Sequence, residues 1–176
     1  MRLTWTGLRR PAVPAEVARV VAPAGGEKLL AWATDDHGAT LVAGRQRVHL
    51  VSPGPDGAPV LALSRPWHLV DAGTWSDEGV LRLTWVDSEP PLRLRLTEPG
   101  MLPETLRERV QASVVLAESL DLGQRRTAKV VVRRDLATHA LLTQAVLGRG
   151  VRADDPDVAE QLRAGLARVR EQVGLD

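Results

Sequence analysis

PETLRERVQASVVLAESLDL, residues 103–122, is the stretch around which the chain is organised, because it reads as the best helix and lies between two regions that read as strands. Pro103 suits the first helical position, where a missing N–H costs nothing. Glu104 suits the positive end of the helix dipole, and Gly123 stands where a helix stop belongs. Leu106, Val110, Ser113, Val114 and Ala117 recur at helical spacing, and Val115, Leu116 and Leu120 widen the apolar stripe in the second half. The spacing therefore predicts one helix over 103–122. So apolar a helix must be covered, and the covering material has to be the short strands that precede it.

Working back from the helix, seven strand-like runs are bounded by turn residues: 28–34, 39–43, 47–52, 60–65, 69–76, 80–86 and 91–97. The intervening DDHG, GRQ, PGPDGAP, SDEG and DSEPP are rich in residues that fix φ, tolerate positive φ or cap locally. Alternation is clearest in the last two runs. Leu81, Leu83 and Trp85, then Leu92, Leu94 and Leu96, face in, while Arg82, Thr84, Arg93 and Arg95 face out. If residues 84 and 93 are opposed, Arg82 faces Arg95. Trp32, Trp75 and Trp85 fall in strands and read as core. Further upstream, Leu3 and Trp5 suggest an edge strand, and PAEVARVV a brief helix with Val17, Val20 and Val21 inward. Beyond position 123, TAKVVVRR and THALLTQAVLG read as two strands, the second able also to wind as a helix. Asp155-Pro156 then opens a closing helix with Val158, Leu162, Leu166, Val169 and Val173 on one stripe.

At 176 residues the chain has room for one main domain and an extension. It lacks Cys, Tyr, Phe, Ile and Asn, and Lys28 and Lys129 are its only lysines. The missing residues share AT-rich codons, so a GC-rich bacterial genome accounts for them. Without cysteine there is no disulfide or thiolate metal site, as suits a reducing compartment. The first ten residues have no signal-peptide core, and no run approaches the ~18 apolar residues of a membrane span. A cytoplasmic protein is expected. The charge is uneven. Residues 1–24 carry four basic groups against one acid, 25–122 nine against fourteen, and 123–176 ten against seven. The acidic middle would be repelled by anionic lipid and nucleic acid.

Seven strands and a helix is the element order of pleckstrin-homology-like (PH-like) domains, and the wording of several segments resembles their bacterial branch. GGEKLLAWATDDHGATLVAGRQRVHLVS, SRPWHLVDAGTW and GVLRLTWV match a pattern with a Gly-Glu before strand one, an Arg-containing turn between strands two and three, and a Pro-Trp before the central strand. With EPGMLPETLRERVQASVV and DDPDV, residues 26–174 resemble a set of small proteins of high-GC Gram-positive bacteria. The resemblance implies an α+β, mainly β fold: a PH-like seven-stranded sandwich or barrel capped by one helix, with a C-terminal ββα extension. It implies an N-terminal segment over 1–24, the PH-like domain over 25–122 and the extension over 123–176. Headgroup-binding PH domains carry basic residues in strands one and two, whereas here Lys28 lies at the start of strand one and ATLVA has none. Membrane headgroup binding is thereby disfavoured.

No catalytic motif, phosphate loop or metal-ligand spacing is present, and no enzyme activity, cofactor or metal is expected. His37, His49, His68 and His139 are unpaired in sequence; Asp35, Asp36 and His37 read as a turn, and Asp154, Asp155 and Asp157 as a helix start. Two surfaces remain. Arg82, Arg93 and Arg95, with Trp67 at a strand entry, are candidates for a protein partner. Arg125, Arg126, Lys129, Arg133 and Arg134 are candidates for an anion or nucleic acid, although no aromatic is interleaved for base stacking. The expected role is a non-catalytic interaction or structural module. PH-like domains that bind peptides take them as an extra strand beside the capping helix, and the extension is expected to fold back as a hairpin and cover that groove. The Arg82, Arg93 and Arg95 face would then be left for a partner.

Overall fold

The structure, a computed structural model, describes residues 12–24, 26–87, 89–123 and 125–175. The strand expected around Leu3 and Trp5 lies outside them. The chain is mainly β. Four strands, β1 (Leu29–Thr34), β2 (Thr40–Gly44), β3 (Arg47–Pro53) and β4 (Pro59–Pro66), form one antiparallel sheet in sequence order. Three more, β5 (Val70–Trp75), β6 (Val80–Trp85) and β7 (Leu92–Arg95), form a second. A single bridge, Asp35 to Leu96, links the two sheets at one corner, and the described strands do not close into a barrel.

Between these sheets lies the first core. Leu41, Ala43 and Val48 come from one sheet and Leu81, Leu83 and Leu94 from the other, with Trp67 and Trp85 among them. A helix of seven residues, α1 (Ala15–Val21), covers the outer face of the first sheet. Val17 and Val21 meet Val42 and Val51 there, with Trp32 packed alongside, so β2 is buried on both faces.

The deciding stretch is a helix only in its first half. Helix α2 runs Leu102–Ser113, with Leu102 and Leu106 in the first core. Each such leucine is worth about 1.5–3 kcal/mol of burial. The chain then passes directly into β8 (Val114–Asp121). The Ser113 hydroxyl donates back to the Val110 carbonyl at 2.6 Å, and Val114 is already extended at φ −87° and ψ 123°. Val114 and Val115 are both β-branched, and from Leu116 the pattern has period two, not 3.6. Leu116, Leu120 and Leu122 face a second core, and Glu118 on the same side reaches Arg168. Gly123 is therefore not a helix stop. It takes a positive φ of 74° in the turn to the next strand.

Strands β9 (Thr127–Arg134) and β10 (Leu141–Leu147) form the expected hairpin, with residues 141–147 as strand. β8 joins on the other side, giving a third antiparallel sheet in the order β10-β9-β8. The boundary expected at 122/123 thus falls inside the β8–β9 hairpin. Helix α3 (Pro156–Gln172) lies across this sheet, started by the Asp155 carboxylate, which accepts the Asp157 N–H at 3.1 Å. Val158, Leu162 and Val169 close the core over Ala128, Val130 and Val132. A Cβ at Gly165 would stand 3.0 Å from Leu120 and 3.2 Å from Val130, so the missing side chain is what lets α3 approach.

The third sheet is tied to the body at the end of α2. Leu136 packs against the first core, and Arg133, 3% exposed, donates to Ser113 Oγ at 3.0 Å. Among the described residues no helix is long and apolar enough to cross a membrane.

Candidate partner-binding groove

The stretch VDAGTW contains one residue poor at building strands, Gly73, and places it at an edge. β5 is the last strand of its sheet, so among the described residues one side of it has no strand neighbour and its backbone groups there are open to pairing. α2 packs near β5, and between the two elements is a groove of about 390 Å³. Buried Leu81 and Leu83 of β6 form its floor. Pro103, Leu106 and Val110 supply the helix side, and residues Ala72 to Trp75 the strand side. Arg107 and Gln111 are the remaining lining residues, so among the described residues Arg107 is its one charged group.

The glycine makes the groove. Gly73 is the cross-strand partner of Leu83, and directly opposed residues share a face. A Cβ at position 73 would lie 3.1 Å from Leu83 Cδ2, so a longer side chain would roof the floor. An isolated glycine within a strand pattern is the sequence signal for close backbone approach, and it was there to be read.

The tryptophans exchange their expected places. Trp67, a candidate contact residue, is 0% exposed, with its indole N–H donating to the Gly44 carbonyl at 3.1 Å. Burial removes it from any surface. Trp75, expected inside, is 36% exposed at the end of β5 and lines the groove. Nor does the extension cover the groove as expected: among the described residues, those lining it all belong to β5, β6 or α2. The C-terminal sheet meets the body at the far end of α2 instead, through Arg133 and Leu136.

Arg82, Arg93 and Arg95 do share the outer face of the second sheet, but in another register. Arg82 opposes Arg93, and Arg95 opposes Val80. Arg95 lies 3.9 Å from Glu78, both well exposed, while Arg82 and Arg93 have no ion pair among the described residues.

The basic stretch does not form one patch. Arg125 is exposed, and Arg126 is held by Asp155 at 3.0 Å, both at the β8–β9 turn. Arg133 and Arg134 sit at the other end of β9, a full strand length away, with Lys129 exposed between them. Arg133 is inside; burial pulls its guanidinium below the usual range, opposed by the charge of Asp71.

Two buried polar clusters escaped the sequence reading, because their members are far apart in the chain. Glu27 pairs one carboxylate oxygen with His49 Nε2 at 2.8 Å and turns the other to the backbone N–H groups of Gln46 and Arg47. This pins the β2–β3 turn. A Cβ at Gly44 would fall on that carboxylate. Arg47 is committed nearby, donating twice to Ser64 at 2.9 Å. The second cluster lies where the C-terminal sheet meets the body. Burial lowers the His68 pKa; the Asp135 charge opposes this, and Arg133 and Arg47 reinforce it. Among the described residues no three His, Asp or Glu side chains gather as a metal site requires.

In comparisons with protein-family models, curated proteins and solved structures, nothing matches this chain.

Proposed function

We propose that the chain is a cytoplasmic, non-catalytic interaction module of PH-like architecture that holds an extended segment of a partner protein as an added strand on β5. The observation that carries the reading is the edge of β5, unpaired among the described residues, beside an apolar groove roofed by nothing from the rest of the described chain. Such an edge supplies main-chain hydrogen bonds, and the groove supplies a place for alternate side chains of the incoming strand. The PH-like assignment is supported by the order of elements: a four-stranded sheet, a three-stranded sheet and a capping helix that inserts Leu102 and Leu106 between them.

The test is selection of random displayed peptides on the full chain, with Gly73→Val as counter-screen. Gly73 is exposed, and valine suits a strand, so the variant should fold while its side chain fills the groove over Leu83. The expected result is a pool that binds the natural chain and loses at least tenfold in affinity for Gly73→Val. A pool that binds both equally, or no enriched pool, would overturn the reading.

A further inference from the structure

We infer that the segment held in the groove is apolar at alternate positions and carries a single acidic side chain set against Arg107. This rests on the strand-accepting reading of the groove and adds the chemistry of the occupant. Arg107 is exposed, and among the described residues no carboxylate pairs with it, although Glu104 and Glu108 share its helix. The remaining lining is aliphatic, aromatic or uncharged polar. A guanidinium at the side of an apolar groove is partly shielded from water once a strand is seated, so a carboxylate facing it gains a charge-assisted hydrogen bond that a neutral residue lacks. A basic residue there would be repelled.

The same charges argue for one acid and not a run of them. Residues 25–122 carry fourteen acidic groups against nine basic, so a polyacidic segment would be repelled by the body that surrounds the groove. One carboxylate against one guanidinium avoids that repulsion. The floor sets the rest. Leu81, Leu83, Leu106 and Val110 take apolar side chains, which an extended segment delivers from every second residue, and Gly73 leaves room for one of them above Leu83.

The experiment sequences the peptide pools selected on the natural chain and on Arg107→Glu. On the natural chain the enriched peptides should alternate apolar residues and contain one Asp or Glu at a fixed distance from them. Changing that acid to Lys should weaken binding by about tenfold. On Arg107→Glu the position should turn to Lys or Arg. Pools that Gly73→Val rejects but whose charge preference is the same on both proteins would overturn this inference and leave the groove reading standing. Pools indifferent to Gly73→Val would overturn both. Amide exchange gives a second readout that needs no variant. The selected acidic peptide should slow exchange at Ala72 to Trp75, and slowing confined to another strand would also overturn the proposal.

Discussion

The chain builds the same motif twice, a three-stranded antiparallel sheet with one helix against it, and finishes it differently each time. In β8–β10 with α3, the glycine is on the helix. Gly165 lets α3 settle onto Leu120 and Val130, and the interface fills. In β5–β7 with α2, the glycine is on the strand. Gly73 withdraws a side chain from the sheet surface, and α2 leaves a groove over Leu83. A helix on a sheet becomes a core or a cleft according to which partner gives up its Cβ. Both copies contribute buried leucines to a core, and the second also leaves an open cleft beside its edge strand.

The largest effects should come from deleting side chains common to both copies. Leu106→Ala and Leu162→Ala should each lower stability by about 2–4 kcal/mol in urea unfolding. Four tryptophans, Trp32, Trp67, Trp75 and Trp85, lie in the body and none in the C-terminal sheet. Buried Arg133 and half-buried Leu136 join the two units, so Leu162→Ala should move the tryptophan fluorescence midpoint as well. An unmoved midpoint would show that the copies unfold independently.

The glycines sharpen the contrast. Gly165→Leu should cost about 1–3 kcal/mol by overpacking, because the helix cannot back away without opening the second core. Gly73 lies at an exposed edge, where the one side chain in the way, Leu83, has to give by a few tenths of an ångström, so Gly73→Leu should cost less than about 1 kcal/mol while removing partner binding. Equal losses would erase the distinction between core and cleft.

A smaller effect follows pH. Burial depresses the His68 pKa in the folded chain, with Arg133 and Arg47 adding to it and Asp135 opposing. The unfolded chain takes up the proton near the ordinary value of 6.5, before the folded chain does. Stability from this group is therefore complete above that value and declines as pH falls through it toward the lower folded one. His68→Gln should flatten the slope of the urea midpoint between roughly pH 7.5 and 5. The smallest effect is on the outer face of the cleft copy. Arg82 and Arg93 are directly opposed, and Arg93→Glu should gain about 0.2–1 kcal/mol. A loss would mean that the pair is held by something other than solvent.

Much of the fold is legible in the sequence, since turn residues and alternation are local properties. All seven strands before α2, the β9–β10 hairpin and α3 fall where the pattern puts them. The reading failed at Ser113, where Val110, Val114 and Ala117 keep helical spacing by coincidence while Leu116, Leu120 and Leu122 keep the strand period that pairing with β9 enforces. The Arg82 register also failed, because alternation fixes faces and says nothing of which residues stand opposite. The groove was legible only as Gly73. Its walls come from three elements, and no local pattern states that α2 stops short of β5. Trp67 and Trp75 show the same limit: Trp67 follows one strand-like run and Trp75 ends the next, and only the sheet order decides which one is inside.

The most direct test of the central claim compares exchange at two sheet edges. Amide hydrogen exchange should be followed in the full chain with and without a groove-selected peptide, at the β5 edge and at the β10 edge, each of which ends a sheet. The account predicts slowed exchange at Ala72 to Trp75 with no change at Leu141 to Leu147. Protection of β10, or bound peptide with β5 exchanging as before, would contradict it.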